Sequence, residues 1–182
     1  MALTRLAHQL IKEHFDQHRD SMKLAVDATC GNGFDTEFLL RIGFAKVVGV
    51  DIQSEAIAIT SKRVQDQYIN NVELYQQSHD KLHLTIKDQV NCFMFNLGYL
   101  PHGDKTITTT SKSTLSALNY CLNKLQQNGY ISVLCYPGHE EGRVETNAIK
   151  NWLKTIDERF SVEQFLSSSP STNSPILYTI KN

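Results

Sequence analysis

Val26-Asp27-Ala28-Thr29-Cys30-Gly31-Asn32-Gly33, followed by Val47-Val48-Gly49-Val50-Asp51, spaces an apolar strand, a glycine turn and a second apolar strand that ends in an acid. Glycine at 31 and 33 lets the backbone bend and approach a ligand where a Cβ would collide. Asp51, about 20 residues on, is placed to accept from ribose hydroxyls. The spacing is the footprint of an adenosine-cofactor pocket, and also of a plain strand-to-helix turn. The rest of the chain decides between them.

Outward from this stretch, strand and helix patterns alternate. Leu3, Leu6, Ala7, Leu10 and Ile11 recur at helical spacing, so residues 1–20 read as an amphipathic helix packed across the domain, with Arg5 and Lys12 outward. Leu24–Asp27 reads as a short buried strand, 35–41 as a helix and 45–51 as a second strand, with a cap at Ser54 and a helix over 55–67. Val72–Gln76, 90–95 and 130–136 read as further strands, and 78–84 as a short helix. Leu115, Leu118, Leu122 and Leu125 stripe a helix that Gly129 breaks, and Ile149, Trp152, Leu153 and Ile156 stripe the next. Ser161–Leu166 and 176–180 remain as strands, joined by the polar loop 167–175 into an antiparallel hairpin. The expected fold is α/β and Rossmann-like: a seven-stranded, mostly parallel sheet with a C-terminal antiparallel hairpin and helices on both faces, one domain over 1–182.

Composition narrows the function classes. With 182 residues and 41% hydrophobic content, the chain can bury one substantial core. No apolar stretch approaches a bilayer span, and the N-terminus mixes Arg5, His8, Lys12 and Glu13 with Leu and Ile, so a cytoplasmic protein is expected. Cys30, Cys92, Cys121 and Cys135 lack C-x-x-C spacing and sit in or beside apolar segments, which suits buried reduced thiols and argues against a metal site. A net charge of -1 and a pI near 6.6 argue against a nonspecific nucleic-acid coat. A local patch from Lys105, Lys112, Arg143 and Lys150 can still meet phosphates.

Ligands of open α/β sheets bind at the carboxyl ends of the strands, which gathers 27–33, Asp51, 96–101 and 136–139 around one crevice. A dinucleotide site would place a small residue at position 36, where Thr36 stands, so nicotinamide binding falls behind. An acid ending strand one, a turn with fewer glycines, an acid ending strand two and a terminal hairpin look like a class I S-adenosylmethionine methyltransferase. Thr29 occupies the place of the first glycine in the usual D-x-G-x-G-x-G.

Five motifs sharpen that likeness: 27–36 (D-A-T-C-G-N-G-F-D-T), Asp51-Ile52-Gln53, 95–101 (F-N-L-G-Y-L-P), Gly103-Asp104-Lys105 and Tyr136-Pro137-Gly138-His139. Together, and from Ala7-His8 to the closing hairpin, the chain resembles the MnmM (YtqB-like) family, long labelled rRNA methylases. The resemblance implies methyl transfer from S-adenosylmethionine to the exocyclic amine of 5-aminomethyl-2-thiouridine at the wobble position. It implies tRNA, met at the anticodon stem-loop, as the partner.

The residues suggest how such chemistry would run. Asn96, ending strand four, offers an amide oxygen that, with main-chain carbonyls of Leu97 or Gly98, can accept from an attacking amine and aim its lone pair. Tyr99 is either a face on which an extruded base stacks or a core aromatic. An alkyl ammonium has a pKa of about 10, so the amine must first lose a proton. His139 is the best placed base, with Asp35 and His79 as rivals, and desolvation alone is the alternative. Asp27 would anchor the turn, Asn32 and Gly33 would face the methionyl part, and Asp51 and Gln53 would meet ribose and adenine. Thr29, Gly31, Asp35, Thr36, His79 and Asn96 complete the expected cofactor set. Leu97, Gly98, Pro101, Lys105, Thr109, Thr110, Tyr136 and Gly138 form the expected substrate set. The strand-four motif has no Cys to attack a pyrimidine carbon, which favours nitrogen or oxygen as the acceptor. Methylation of another nucleotide, as in rRNA, and a noncatalytic cofactor-binding partner of an RNA-modifying complex stay open. So does a homodimer built on the long first helix.

Overall fold

The computed structural model of the chain describes residues 2–100, 106–167 and 170–182. Seven segments pair into one sheet: β1 (Leu24–Asp27), β2 (Lys46–Asp51), β3 (Val72–Gln76), β4 (Val90–Asn96), β5 (Leu125–Cys135), β6 (Ser161–Leu166) and β7 (Ile176–Lys181), in the order β3-β2-β1-β4-β5-β7-β6. The pairs from β3 to β5 are parallel, and β7 runs antiparallel between β5 and β6. The order reverses at β1, so a crevice opens between the carboxyl ends of β1 and β4.

The helices are α1 (Leu3–Asp16), α2 (Phe34–Ile42), α3 (Ser54–Tyr68), α4 (Leu82–Thr85), α5 (Ser111–Lys124) and α6 (Glu140–Leu153). Alternation along the strands divides the core. Val26, Phe93 and Phe95 face the layer of α4, α5 and α6, where Leu82, Leu118 and Ile149 meet them. Ala25, Cys92 and Met94 face Ile11 and Phe15 of α1, Leu39 and Leu40 of α2 and Val64 of α3. Ile11 and Phe15 are fully buried, each stabilising the docking of α1 by about 1.5–3 kcal/mol. All four cysteines are buried and unbridged.

Several boundaries differ from the sequence reading. The first helix, expected over 1–20, ends at Asp16, and a separate 3-10 turn follows at Arg19–Ser21. Gly129 does not break a helix: α5 ends at Lys124, and Leu125 already pairs with Val90 as the first residue of β5. Between the pairs Val90↔Leu125 and Cys92↔Tyr130 the longer β5 segment bulges out, with Asn128 at φ 57°. Asn182 and His14 tie this bulge down through Asn128 and Gly129 backbone groups. Leu125 continues the leucine stripe and stays buried as a strand residue, so periodicity alone could not separate the two states. Ser54 is the first residue of α3 and caps nothing. Ile156 lies beyond the end of α6.

Gly33 is the N-cap of α2 at φ 78°, and a Cβ there would stand 2.9 Å from the Thr60 Cα of α3. Left-handed strain and a clash against backbone act together, so Gly33→Ala is expected to lower stability by about 3 kcal/mol in urea unfolding. Gly43→Ala, at φ 109° with nothing within 4 Å, carries strain alone and should cost about 1 kcal/mol.

Candidate active site

The strand ends continue as hydrogen-bonded loops that set the crevice floor. Ala28 N donates to Met94 O (2.8 Å), Cys30 N to Val50 O (3.0 Å) and Leu97 N to Leu134 O (2.9 Å). Ala28 and Leu97 prolong β1 and β4 by one residue each, and Cys30, three residues past β1, ties the turn to β2. The crevice above them has a volume of about 1140 Å³. It exceeds the usual range for a single small ligand and leaves room for a cofactor and part of a second molecule.

On the β1–β2 side, Gly31 at φ 48° turns its N–H onto Asp51 Oδ2 (3.0 Å), while Gln53 N donates to Asp51 Oδ1 (2.9 Å). Each carboxylate oxygen keeps a lone pair for a ligand diol. Thr60 Oγ1 and Arg63 Nε donate to Gly31 O (3.2 Å) and Asn32 O (2.6 Å), fixing the turn from α3. Thr29, Gly31, Asn32, Asp35, Asp51, Gln53 and His79 all line the crevice.

Asp27, Gly33 and Thr36 of the expected cofactor set do not line it. Asp27 and Thr36 are fully buried, joined by Thr36 Oγ1 donating to Asp27 Oδ2 (2.6 Å), with Thr29 N on Oδ1 (3.3 Å). Gly49 of β2 lies beside Thr36, but the atom a Cβ there would crowd is Leu74 Cδ2 at 2.7 Å, with Thr36 Oγ1 at 3.4 Å in ordinary contact. Asp27 thus supports the turn from beneath.

Burial first, and the nearby Asp35 carboxylate second, push the Asp27 carboxyl up to about 8. Its folded value exceeds the unfolded one, about 4, so between these limits the folded chain binds more protons and stability falls as pH rises, levelling off above about 8. Melts of the protein and of Asp27→Asn at pH 5 and pH 8 should show a larger loss at pH 8 in the unaltered chain. An equal loss in both would remove Asp27 as the source.

On the β4 side, Asn96 N donates to Thr29 Oγ1 (2.7 Å), locking the end of β4 to the β1 turn. Its Nδ2 donates to Asp35 Oδ2 (3.3 Å), and His8 Nε2 donates to Asp35 Oδ1 (2.6 Å). His8 also stacks on Phe38, with ring centroids 3.9 Å apart. A carboxylate only accepts, so Asp35 takes the amide nitrogen of Asn96 and leaves its oxygen as the free acceptor. Leu97, Gly98, Tyr99, Thr109, Thr110, Tyr136, Gly138 and His139 line the same crevice, and Pro101 and Lys105 lie outside the described residues. Thr110 is also the N-cap of α5 in a capping box with Ser113. Of the other proposed phosphate contacts, Arg143 is already paired with Glu140.

His139 caps α6: Gly142 N donates to His139 Nδ1 (3.1 Å), and a Glu141 carboxylate oxygen lies 3.4 Å from the same nitrogen. Nε2 is buried without a hydrogen-bond partner. Burial pushes His79 down to about 4 and keeps it neutral.

Sequence reasoning missed the share of α1: Thr4, Arg5 and His8 line the crevice. Thr4 and His8 stand one turn apart beside the apolar stripe, a polar pair visible in the sequence once the stripe is drawn. It also missed Glu145, buried in α6 and bonded to Thr109 of the crevice lining.

The doubly wound sheet, with β7 inserted antiparallel beside β5 and a ligand crevice at the carboxyl edge, defines a Rossmann-like methyltransferase fold. The chain belongs to the family described as "Putative rRNA methylase", whose pattern matches residues 47–181. It is similar to a "putative rRNA-methylase" of Clostridium thermocellum, 34% identical with TM-score 0.90, covering 100% of this chain and 97% of that one. It is also similar to a "putative methyltransferase" of Streptococcus mutans solved with SAH, 28% identical with TM-score 0.82, covering 95% and 96%. A curated relative, the chloroplastic "tRNA (mnm(5)s(2)U34)-methyltransferase" of Arabidopsis thaliana, is 37% identical over 161 residues, 81% of this chain and 57% of that protein. The chain thus spans just over half the length of that relative. No helix among the described residues is long and apolar enough to cross a membrane.

Proposed function

We propose that this chain is an S-adenosylmethionine-dependent RNA methyltransferase of one catalytic domain, and that its acceptor is the exocyclic amine of 5-aminomethyl-2-thiouridine at the tRNA wobble position. The observation that carries the reading is the pairing, across one crevice, of the Gly31–Asp51 turn with an Asn96 amide whose nitrogen is already held by Asp35. The 37% identical Arabidopsis relative, named for that wobble nucleoside, supports the choice of acceptor.

The site suits the cofactor by its own chemistry. Asp51 retains lone pairs for ribose hydroxyls, and the lining is acidic, with Asp35 and Asp51 both facing the crevice. Bound there, S-adenosylmethionine supplies an electrophilic methyl carbon on a cationic sulfur. Carboxylates favour that cation over the uncharged thioether product, which assists release. Asn96 Oδ1 accepts an N–H of the uncharged amine and directs the nitrogen lone pair along the line of displacement. The apolar walls at Leu97 and Leu100 favour the neutral amine, so no side chain has to take its proton before attack. Tyr99, 40% exposed, presents a ring for the extruded base.

Mass spectrometry of tRNA nucleosides from cells lacking the protein tests the acceptor. 5-Aminomethyl-2-thiouridine should accumulate, and purified protein with S-adenosylmethionine should convert it to the methylaminomethyl form. Unchanged tRNA nucleosides alongside a methyl lost from rRNA would move the activity to ribosomal RNA.

A further inference from the structure

Glu145, on α6, is 2% exposed and lies outside the crevice lining, yet both of its oxygens are engaged from the crevice side. Thr114 Oγ1 donates to Oε1 (2.6 Å) and Thr109 Oγ1 donates to Oε2 (2.7 Å). Each hydroxyl has one proton, and each gives it to Glu145, so each oxygen must accept from its next neighbour. For Thr109 that neighbour is Gly98 N–H (2.9 Å), with Thr109 N returning a bond to Gly98 O (3.0 Å). For Thr114 it is His79 Nε2 (3.2 Å). His79 must then carry its proton on Nε2, which leaves the Nδ1 lone pair on a ring that lines the cofactor side of the crevice.

We infer that Glu145 is a positioning residue for both halves of the site: one buried carboxylate fixes the hydrogen-bond direction of two threonines, and through them the tautomer of His79 and the orientation of the Gly98 peptide beside Asn96. The inference rests on the function proposed above for what each half binds, but the network stands on its own contacts. A neutral histidine with a free Nδ1 is an acceptor for an exocyclic amine such as that of adenine. The paired bonds between Gly98 and Thr109, next to the bridge between Tyr99 and Thr108, hold the acceptor loop against α5. Glutamine at 145 keeps the shape and loses the symmetry. Its NH2 cannot accept, so one threonine must turn a lone pair toward it, and that threonine's proton, no longer claimed by residue 145, is free to turn toward the partner behind.

The test uses the full chain, S-adenosylhomocysteine as the calorimetric probe, and amide hydrogen exchange at Gly98. Glu145→Gln should bind the probe about tenfold more weakly, or exchange the Gly98 amide about tenfold faster, or both, according to which threonine its amide nitrogen meets. Single-arm variants separate the halves. Thr114→Val should weaken the probe and leave Gly98 exchange unchanged; Thr109→Val should do the reverse; Thr114→Ser, which keeps the hydroxyl, should restore binding. These two arms decide the matter even where Glu145→Gln fails to fold. A folded Glu145→Gln with both readouts within twofold of the unaltered protein overturns the inference. So does a mixed loss from each threonine variant, which would mean general loosening. No readout involves RNA, so failure to methylate tRNA would refute the proposed acceptor and leave this result intact.

Discussion

Asn96→Ala is expected to lower kcat about 100-fold while the affinity for S-adenosylhomocysteine stays within twofold. A 100-fold loss is about 2.7 kcal/mol of transition-state stabilisation, within the range for removing one well-placed hydrogen-bonding partner from a reacting group. The backbone of residue 96 is held by Thr29 Oγ1 at 2.7 Å, independently of the side chain, so the end of β4 and the β1 turn remain in register. What disappears is the amide oxygen proposed to aim the amine. Asn96→Asp sharpens the argument. It sets a second carboxylate against Asp35, where the amide nitrogen now donates at 3.3 Å, and two like charges so close share a proton. That variant should be as impaired as Asn96→Ala and should gain a pH dependence that the alanine variant lacks. Single-turnover kinetics with saturating cofactor checks both. A kcat within fivefold of the unaltered protein, or a loss matched by lost cofactor binding, would show that Asn96 shapes the cofactor pocket only.

The fold was legible because the interior strands hold short apolar runs, such as 47–50 and 92–95, and the longer covering helices show their stripes within a dozen residues. Val26 and Phe93 face one layer, Ala25 and Met94 the other, and this alternation is hidden in runs apolar on both faces without changing their assignment as buried strands. The shared place of Gly31 and Asp51 at the crevice was legible for a related reason, since both sit at fixed offsets from strand ends, but the bond between them was not, because sequence reasoning assigned the anchoring of the turn to Asp27. Glu145 was not. In Val144-Glu145-Thr146 it reads as one more polar residue of an amphipathic helix, and it is buried only because Thr109 and Thr114, more than thirty residues away, turn their hydroxyls onto it. His139 shows the same limit in reverse. Glycine neighbours and a titratable ring marked it as a base, and the structure spends its Nδ1 lone pair on the first turn of α6. Donor and acceptor direction is set by partners distant in sequence, so residue type and spacing could locate the crevice but could not give each group its role.

Asp51→Ala should weaken S-adenosylhomocysteine binding by about 100-fold, with kcat at saturating cofactor retained to within about threefold. The carboxylate performs two tasks. Its oxygens hold Gly31 N (3.0 Å) and Gln53 N (2.9 Å), and their remaining lone pairs point where a ribose diol would lie. Hydrogen bonds to a charged acceptor contribute about 1.5–3 kcal/mol each, so two lost bonds amount to two orders of magnitude or more in Kd. The contacts are remote from the methyl carbon and equal in ground and transition states, so their loss raises KM and spares kcat. Asparagine at this position is no rescue. One end of its amide is a donor, and on either side of the side chain a backbone N–H is already waiting, so Asp51→Asn sets two donors face to face and should recover less than half of the lost affinity in free-energy terms. Calorimetry on the three proteins gives the comparison. Affinity within threefold of the unaltered chain in both variants would mean that the acid ending β2 merely braces the glycine turn and that the cofactor is held elsewhere.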